Sequence, residues 1–205
     1  RVIIVIKKGT ENRFVVKKNQ YATPQNVFHI TGKSVAALLE LIEKKTPDII
    51  QSIKKGEIAA HWELLKDSVV IPKTLQNQFQ IDLKVPKSFS FSIKNSNFVW
   101  LKREFSSGSS SILVTQFPIS NVNLEGNVLN QVVKIQDSIG AAYVKGEEPS
   151  SNMYIDTSYP LYLSKTTLDG KMTYETKGTW RLNDSFMFGP FVSYLIVDPM
   201  KNKMT

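Results

Sequence analysis

The sequence predicts an α+β fold, made of antiparallel sheets with helices packed on one face. Apolar residues recur at helical spacing over much of the stretch from residue 34 to residue 79, whereas they alternate with polar residues after that point. One further helical stripe falls at 124–139, within the alternating half. Helices on one face of an antiparallel sheet define the α+β class. We therefore predict a helix-rich sub-domain at 1–79 and a sheet-plus-helix sub-domain at 80–205, and leave open whether the two are similar folds.

The first predicted elements are three strands. Val2–Lys8 is an apolar run typical of a fully buried strand, and the polar turn that follows predicts a hairpin with Arg13–Lys18. Asn26–Thr31 is the third strand. A buried strand needs neighbours on both sides, and residues 198–205 resemble a turn that enters another strand. We therefore expect the first sub-domain to be partial at its N-terminus and the second at its C-terminus.

Three helical segments are expected next. Ser34 is a suitable N-cap for the apolar stripe over 35–42, which has spacings of three and four residues. Thr46 and Pro47 predict a new helix start, because proline is favoured at the first helical position. A third segment follows Gly56, since apolar residues recur there on one helical face.

Three strands and a loop are predicted at the start of the second sub-domain. Apolar residues alternate with serine over 88–93, as on a half-exposed strand. Phe98–Phe105 and Ile112–Phe117 flank a serine-rich loop and are predicted to pair with each other.

The last part of the chain contains the strongest hairpin signal. Asp169-Gly170 falls between the predicted strands Tyr159–Ser164 and Lys171–Arg181, and this dipeptide favours a tight two-residue turn. Phe186–Val197 is the final apolar strand. Pro190 within it indicates an edge, a bulge or a strand start, because proline donates no hydrogen bond to a neighbouring strand.

The chain is basic and contains no cysteine. Its net charge is +8, with 13 basic and 7 acidic residues in 1–80 and 13 and 11 in 81–205. Lysine pairs carry much of the excess, which indicates a solvated surface or contact with an anionic partner. Nucleic acid binding is not expected, because the chain has four arginines and no basic cluster built on them. No apolar run approaches the roughly 18 residues of a membrane span.

The sequence contains no catalytic or cofactor-binding motif. It lacks the Gly-x-Ser-x-Gly elbow, a phosphate-binding glycine loop and a dinucleotide fingerprint. The aspartates are scattered, and the two histidines, His29 and His61, are expected in structural roles. We therefore predict no cofactor and no metal site, and favour a protein that is not an enzyme. An acid/base pair formed by two carboxylates that meet in space is left open.

Aromatic residues are dense after residue 97, and basic residues lie near several of them. Trp100 and Lys102 should share one face of their strand, while Arg103 points to the other. A cluster of this composition suits an anionic or an aromatic ligand. The candidate contact residues are Trp100, Lys102, Arg103, Trp180, Arg181 and Phe188.

An ordered set of motifs resembles a known family. The motifs are Asn97-Phe-Val-Trp-Leu-Lys-Arg-Glu104, Gln136-Asp-Ser138, Gly178-Thr-Trp-Arg-Leu182 and Phe186-Met-Phe-Gly-Pro-Phe-Val-Ser-Tyr194. Together they resemble a family of Bacteroidetes lipoproteins that is catalogued as a domain of unknown function. The resemblance implies a lipidated cysteine ahead of this chain and a location in the cell envelope. It implies no established activity.

Three functions remain open from the sequence. We favour a non-enzymatic binding module that takes an envelope protein or an apolar or anionic ligand. An envelope hydrolase with an unrecognised carboxylate site is the first alternative. A structural element that docks on an anionic membrane or peptidoglycan through the lysine pairs is the second. In each case we expect a soluble domain attached to the membrane by an N-terminal lipid outside this chain.

Overall fold

The computed structural model describes residues 1–148, 150–183 and 185–205. The chain folds into two units, each of which combines helix and strand. The first unit consists of Arg1–Val70 and Lys84–Lys87, and the second of Ile71–Leu83 and Ser88–Thr205. The α+β class with antiparallel sheets, predicted from the sequence, is confirmed.

The first unit is a three-stranded sheet with one long helix and a small strand pair. In chain order its elements are β1 (Val2–Lys8), β2 (Arg13–Lys18), β3 (Asn26–Gly32), α1 (Val35–Leu65), β4 (Val69–Val70) and β5 (Val85–Pro86). The sheet order is β1-β3-β2, and β4 pairs with β5. Strand β3 is parallel to β1 and antiparallel to β2.

The predicted hairpin of β1 and β2 is wrong, because β3 lies between them. Val27, Phe28 and Ile30 of β3 are at most 1% exposed, so this strand takes the central, most buried position. Among the described residues β1 pairs with β3 alone, and Ile4 and Ile6 are 49% and 52% exposed there. A second neighbour for β1, in a segment ahead of residue 1, stays a prediction.

Helix α1 is a single helix and does not restart at Pro47 as predicted. It begins as expected, with the Ser34 hydroxyl accepting a hydrogen bond from the Ala37 N–H at 3.2 Å. The helix continues through the proline because residues on both sides of it pack on the same sheet. Leu38, Leu41 and Ile42 before Pro47, and Ile49 and Ile53 after it, surround Phe28 and Ile30. Tertiary packing therefore outweighs the local preference for a break.

The second unit contains one longer helix, α2, and two antiparallel sheets. In chain order its elements are β6 (Ser90–Lys94), β7 (Phe98–Phe105), β8 (Gly108–Thr115), β9 (Phe117–Pro118), α2 (Val128–Tyr143), β10 (Met153–Ile155), β11 (Tyr162–Leu168), β12 (Lys171–Leu182), β13 (Phe188–Asp198) and β14 (Lys203–Met204). One sheet has the order β6-β7-β8. The other has the order β10-β12-β13-β14-β9, and β11 also pairs with β12.

The predicted hairpin at Asp169-Gly170 is confirmed. Leu168 pairs with Lys171 across the turn, and both turn residues have positive φ, 49° and 73°. This is the backbone that a tight hairpin turn requires and that Asp-Gly adopts readily. Of the three alternatives predicted at Pro190, which are an edge, a bulge and a strand start, the structure shows a local edge. Among the described residues, β13 pairs there with β12 alone.

Several boundaries differ from the predictions, and those of α2 and β8 have a local cause. Helix α2 begins at Val128, because the Asn127 side chain accepts a hydrogen bond from the Asn130 N–H at 3.1 Å and caps the helix there. Strand β8 begins at Gly108, so most of the predicted serine-rich loop is strand. Serine pairs there with charged residues of β7, as Ser110 does with Arg103.

Helix α2 covers one face of the sheet formed by β12 and β13. Val128 and Val132 of the helix form a buried cluster with Tyr174 of β12 and with Leu195 and Val197 of β13. We call this side of the sheet the inner face. Among the described helices, none combines the length and the apolar character that a membrane span requires.

Candidate functional site

The other side of the β11–β12–β13 sheet carries the candidate site, and we call it the outer face. Side chains alternate between the two faces of a strand. Tyr174 of β12 and Leu195 of β13 are paired and buried on the inner face, so their neighbours along each strand belong to the outer face. The register aligns Lys177 with Tyr162 and Val192, Glu175 with Tyr194, and Arg181 with Phe188. The outer face therefore includes Tyr162, Glu175, Lys177, Arg181, Phe188, Val192 and Tyr194.

Apolar and aromatic side chains on the outer face are exposed. Phe188 is 72% exposed, Tyr162 67%, Val192 51% and Tyr194 43%. Three of them alternate along β13, where Phe188 and Tyr194 lie roughly 20 Å apart at about 6.8 Å for each pair of residues. Phe186, immediately before the strand, is fully exposed. The outer face therefore presents a strip of apolar surface of the kind that marks interaction sites.

A charged cluster lies in the middle of the outer face. Lys177 donates a hydrogen bond to Glu175, and this contact raises the pKa of Lys177. Burial, followed by a hydrogen bond with Glu175, raises the pKa of Tyr194. At neutral pH the cluster therefore contains an ammonium, a carboxylate and a neutral phenol, which offer hydrogen-bond donors and acceptors beside the apolar strip.

Arg181 is held at one end of the outer face by Asp156. The guanidinium Nη1 lies 3.4 Å from Asp156 Oδ2, and the Asp156 side chain is 11% exposed. Asp156 Oδ1 also accepts hydrogen bonds from the Ser158 hydroxyl and the Ser158 N–H. The Ser158 hydroxyl has the largest effect in lowering the pKa of Asp156; burial opposes it, and Arg181 adds to it. A carboxylate that stays ionised in this way orients the arginine and is unsuited to act as a general acid at neutral pH.

Two more of the candidate residues lie in β12 and β13. Phe188 is the direct cross-strand partner of Arg181 on the outer face. Trp180 belongs to the inner face, where its indole packs against Gly189. A Cβ added at Gly189 would lie 3.2 Å from the indole nitrogen. The structure therefore brings Arg181 and Phe188 together and directs Trp180 to the opposite side.

The other three candidate residues lie in β7, in the other sheet of the unit. The Lys102 ammonium lies 5.8 Å from the centre of the Trp100 ring, which agrees with the predicted shared face. Arg103 lies between the Phe89 and Phe105 rings, at 5.7 and 5.5 Å from their centres. The six residues are thus divided between two sheets, and the pair on the outer face is Arg181 and Phe188.

Sequence reasoning missed most of the outer face. Tyr162, Lys177, Val192 and Tyr194 are not among the contact residues predicted from the sequence. A signal was present, since apolar residues occupy every second position of β13 from Phe188 to Tyr194. That alternation does not indicate which side α2 covers. Within the described ranges, no group of three or more histidine, aspartate or glutamate residues is arranged to hold a metal ion.

Family models match both parts of the chain. Residues 1–66 match the model of a domain of unknown function, DUF8532. No curated protein matches the chain, and no solved structure does. The model of the domain of unknown function DUF4837 matches residues 68–205, about two thirds of the chain and the whole of the outer face. The prediction of a domain of unknown function is confirmed, and the chain belongs to this family, DUF4837.

Proposed function

We propose that the chain is a non-enzymatic binding module of the cell envelope and that its outer face docks on a partner protein. One observation carries this proposal: four exposed apolar or aromatic side chains, Tyr162, Phe188, Val192 and Tyr194, share one face of a regular sheet. Burial of such a surface against a partner is favourable, at about 25 cal/mol for each Å² of apolar area removed from water.

The shape and composition of the outer face favour a protein over a small molecule. Small-molecule sites are concave and bury most of their ligand, whereas this surface is one side of a paired sheet. Protein interfaces are enriched in aromatic residues and arginine, and Phe188 lies opposite Arg181. The arginine is already oriented by Asp156, so docking loses little of its side-chain entropy.

The family resemblance supports a location in the cell envelope. Members of the lipoprotein family that the motifs resemble carry a lipidated cysteine ahead of this domain. We propose the same anchor here, in a segment that precedes residue 1. Labelling of the full-length protein in cells with a radioactive fatty acid tests this part. Loss of label when the cysteine is replaced by serine is the expected result, and an unlabelled wild-type protein would contradict it.

The docking surface is tested by affinity capture with a matched control. The chain is immobilised and exposed to a detergent extract of the envelope, and any retained protein is purified and its dissociation constant measured directly. We expect Phe188→Ser combined with Tyr194→Ser to weaken that binding by about 100-fold or more, because central aromatic residues dominate interfaces. Phe91→Ser, which removes a ring that is 42% exposed on β6, should leave it unchanged.

Two results would contradict the proposed docking surface. One is equal binding of the partner by the wild-type chain and the outer-face variant. The other is a chain that instead sediments with anionic vesicles or with peptidoglycan sacculi, equally well in wild type and variant. The second result would favour electrostatic docking through the lysine pairs.

A further inference from the structure

A cleft on the inner face of the second unit lies between α2 and β11. Its volume is about 440 Å³, which is within the range of about 300–1,000 Å³ for small-molecule sites. Its walls come from the first turn of α2, from the loop before that helix, and from β11 and β12. Six side chains give the cleft its chemistry, and they are Leu124, Val128, Leu129, Leu163, Lys165 and Tyr174.

The strand register places the sheet side of the cleft on the inner face. Lys165 of β11 pairs with Tyr174 of β12, and residues directly opposite each other share one face of a sheet. Leu163 precedes Lys165 by two residues, so it lies on that face too. Tyr174 also packs in the buried cluster that includes Val128 of α2. The cleft is therefore built from the packing of the helix on the sheet, and the sheet separates it from the outer face.

The apolar walls of the cleft are aliphatic and partly open to water. Leu163 is 37% exposed, and Leu124 and Leu129 are also partly exposed. Contact with an apolar ligand removes this surface from water, which is favourable. Among the described residues that line the cleft, Tyr174 alone is aromatic, and its ring already faces Lys165. The walls therefore suit an acyl chain better than a flat aromatic ligand, which gains from stacking on other rings.

The charge at the cleft is positive. The Lys165 ammonium lies 5.6 Å from the centre of the Tyr174 ring and forms no ion pair with a described residue. No acidic side chain of the described residues lines the cleft. The N–H groups of Val128 and Leu129, which begin α2, have no partner within the helix and add a partial positive charge. The polar side of the cleft therefore suits an anionic group.

Tyr174 adds a hydroxyl that has no partner in the protein. The residue is 2% exposed, yet its hydroxyl forms no hydrogen bond with a described residue. Buried polar groups are normally hydrogen-bonded, and a tyrosine hydroxyl can donate to an anionic oxygen. Because Tyr174 lines the cleft, an anionic head group bound there accepts a hydrogen bond from this hydroxyl and lies beside Lys165.

We propose that this cleft binds a single acyl chain with an anionic head group. The chain lies against Leu124, Leu129 and Leu163, and the head group contacts the Lys165 ammonium and the Tyr174 hydroxyl. A fatty acid and a single-chain lipid phosphate share this chemistry. The site lies on the opposite side of the sheet from the outer face, so it does not depend on the proposed docking of a partner protein.

The test compares two amphiphiles that have similar chains and opposite charges, decanoate and decyltrimethylammonium. Each is titrated into the 205-residue chain below the concentration at which it forms micelles, and amide chemical shifts are followed by nuclear magnetic resonance. The dissociation constant should be about tenfold or more lower for decanoate. The amides that shift should belong to residues 124–129 and 163–165, which border the cleft.

The variants separate the cleft from general attraction of anions to a chain of net charge +8. Lys165→Met should weaken decanoate binding by about tenfold or more, because it removes a charged hydrogen-bond donor. Tyr174→Phe should weaken it by about threefold or more and leave the unfolding midpoint in urea unchanged, because the hydroxyl has no partner in the free protein. Lys94→Met is the matched control. Lys94 also lies over a ring, that of Phe91 at 5.7 Å, but in the other sheet, so this variant should bind decanoate as wild type does.

Decyl phosphate distinguishes the two sources of the ligand. Tighter binding of decyl phosphate than of decanoate, lost in Lys165→Met, would identify a lipid phosphate, and the reverse order would identify a fatty acid. Four results would overturn the proposal. They are equal binding of decanoate and decyltrimethylammonium, no saturable binding of any of the three amphiphiles, shifts confined to amides outside the cleft, and equal losses in Lys165→Met and Lys94→Met.

Discussion

Phe98 of β7 stacks on Tyr143 at the end of α2, with ring centroids 4.0 Å apart and ring planes within 5° of parallel. Phe98 is fully buried, so this contact fixes the β6–β7–β8 sheet to the helix that also covers β12 and β13. We expect Phe98→Ala to destabilise the second unit by about 3–5 kcal/mol, because it removes a buried ring and leaves a cavity. Urea unfolding monitored by circular dichroism measures the loss.

The matched control for this contact is Tyr143→Phe, which keeps the ring and removes the hydroxyl. We expect a change below about 1.5 kcal/mol, as for a substitution that conserves volume. Similar losses in Phe98→Ala and Tyr143→Phe would show that the stacked rings are not what joins the sheet to the helix.

A second prediction concerns Gly140, where α2 passes close to β10. A Cβ added there would lie 2.0 Å from the Met153 carbonyl oxygen, which is backbone and cannot move aside cheaply. Alanine gains about 1 kcal/mol over glycine in helix propensity. We nevertheless expect Gly140→Ala to destabilise the protein by about 1–3 kcal/mol, because the strand must shift. The unfolding midpoint in urea is the measurement.

Gly56→Ala in α1 is the control for that prediction. Its added Cβ would lie 2.9 Å from the amide nitrogen of the Asn26 side chain, which donates one long hydrogen bond, 3.4 Å, to the Ser52 carbonyl and can turn aside more cheaply than backbone. Propensity should therefore dominate, and we expect a change between neutral and about 1 kcal/mol of stabilisation. A stabilising Gly140→Ala would contradict the close approach of α2 and β10.

Local signals predicted the fold well where local chemistry decides it. Asp169-Gly170 makes its turn from its own backbone preference, and Ser34 caps α1 through its own hydroxyl. The errors arose where distant packing decides. Pro47 indicates a helix start locally, but the sheet beneath α1 holds residues on both sides of it. The partner of β1 depends on which strand is most buried, and adjacency in sequence does not indicate that.

The candidate site was harder to predict for a related reason. Trp100 and Lys102 were correctly placed on one face of β7, because side chains alternate between the two faces of a strand and this is a local property. The pairing of Arg181 with Phe188 depends on the register between β12 and β13, which the sequence does not specify. The exposure of Tyr194 depends on the face that α2 covers, and no local pattern reports that.

A third prediction follows from the lowered pKa of Asp156. Because that pKa lies below its ordinary value of 3.8 in the folded state, the ionised carboxylate stabilises the fold above that value. The contribution is lost as the pH falls through the folded-state pKa. We therefore expect Asp156→Asn to be destabilised relative to wild type near about pH 6, and the difference to shrink towards about pH 2. Urea unfolding across this range measures it.

Ser158→Ala tests the cause of that shift. The Ser158 hydroxyl makes the largest contribution to the low pKa of Asp156, and Arg181 a smaller one. The variant should therefore raise the folded-state pKa of Asp156 towards its ordinary value, so that the acid-induced loss of stability is smaller and is complete at a higher pH than in wild type. If the free energy of unfolding falls with pH in the acid range in the same way in Ser158→Ala and in wild type, the hydroxyl does not stabilise the carboxylate.

The last prediction concerns the fall in the free energy of unfolding at alkaline pH, to which residues of the outer face should contribute. The pKa of Lys177 is raised by its hydrogen bond to Glu175, and that of Tyr194 by burial and then by Glu175. For groups with raised pKa values, the stabilising contribution is present below the ordinary values of 10.5 and 10.0. It is lost as the pH rises through the folded-state values. We expect Glu175→Gln to lower both folded-state pKa values, so that the alkaline loss of stability is smaller and is complete at lower pH.

Ultraviolet absorbance of tyrosinate follows Tyr194 directly, as the difference between each protein and its Tyr194→Phe counterpart. This difference should titrate at lower pH in Glu175→Gln than in wild type, because the variant lacks the carboxylate that opposes ionisation of the phenol. Glu104→Gln removes the carboxylate of another surface pair, Lys102–Glu104, in the other sheet. This variant should leave the pH at which Tyr194 ionises unchanged. A Tyr194 titration that is the same in wild type and Glu175→Gln would mean that the phenol and the carboxylate are not in contact, and that the centre of the outer face is not the coupled cluster described above.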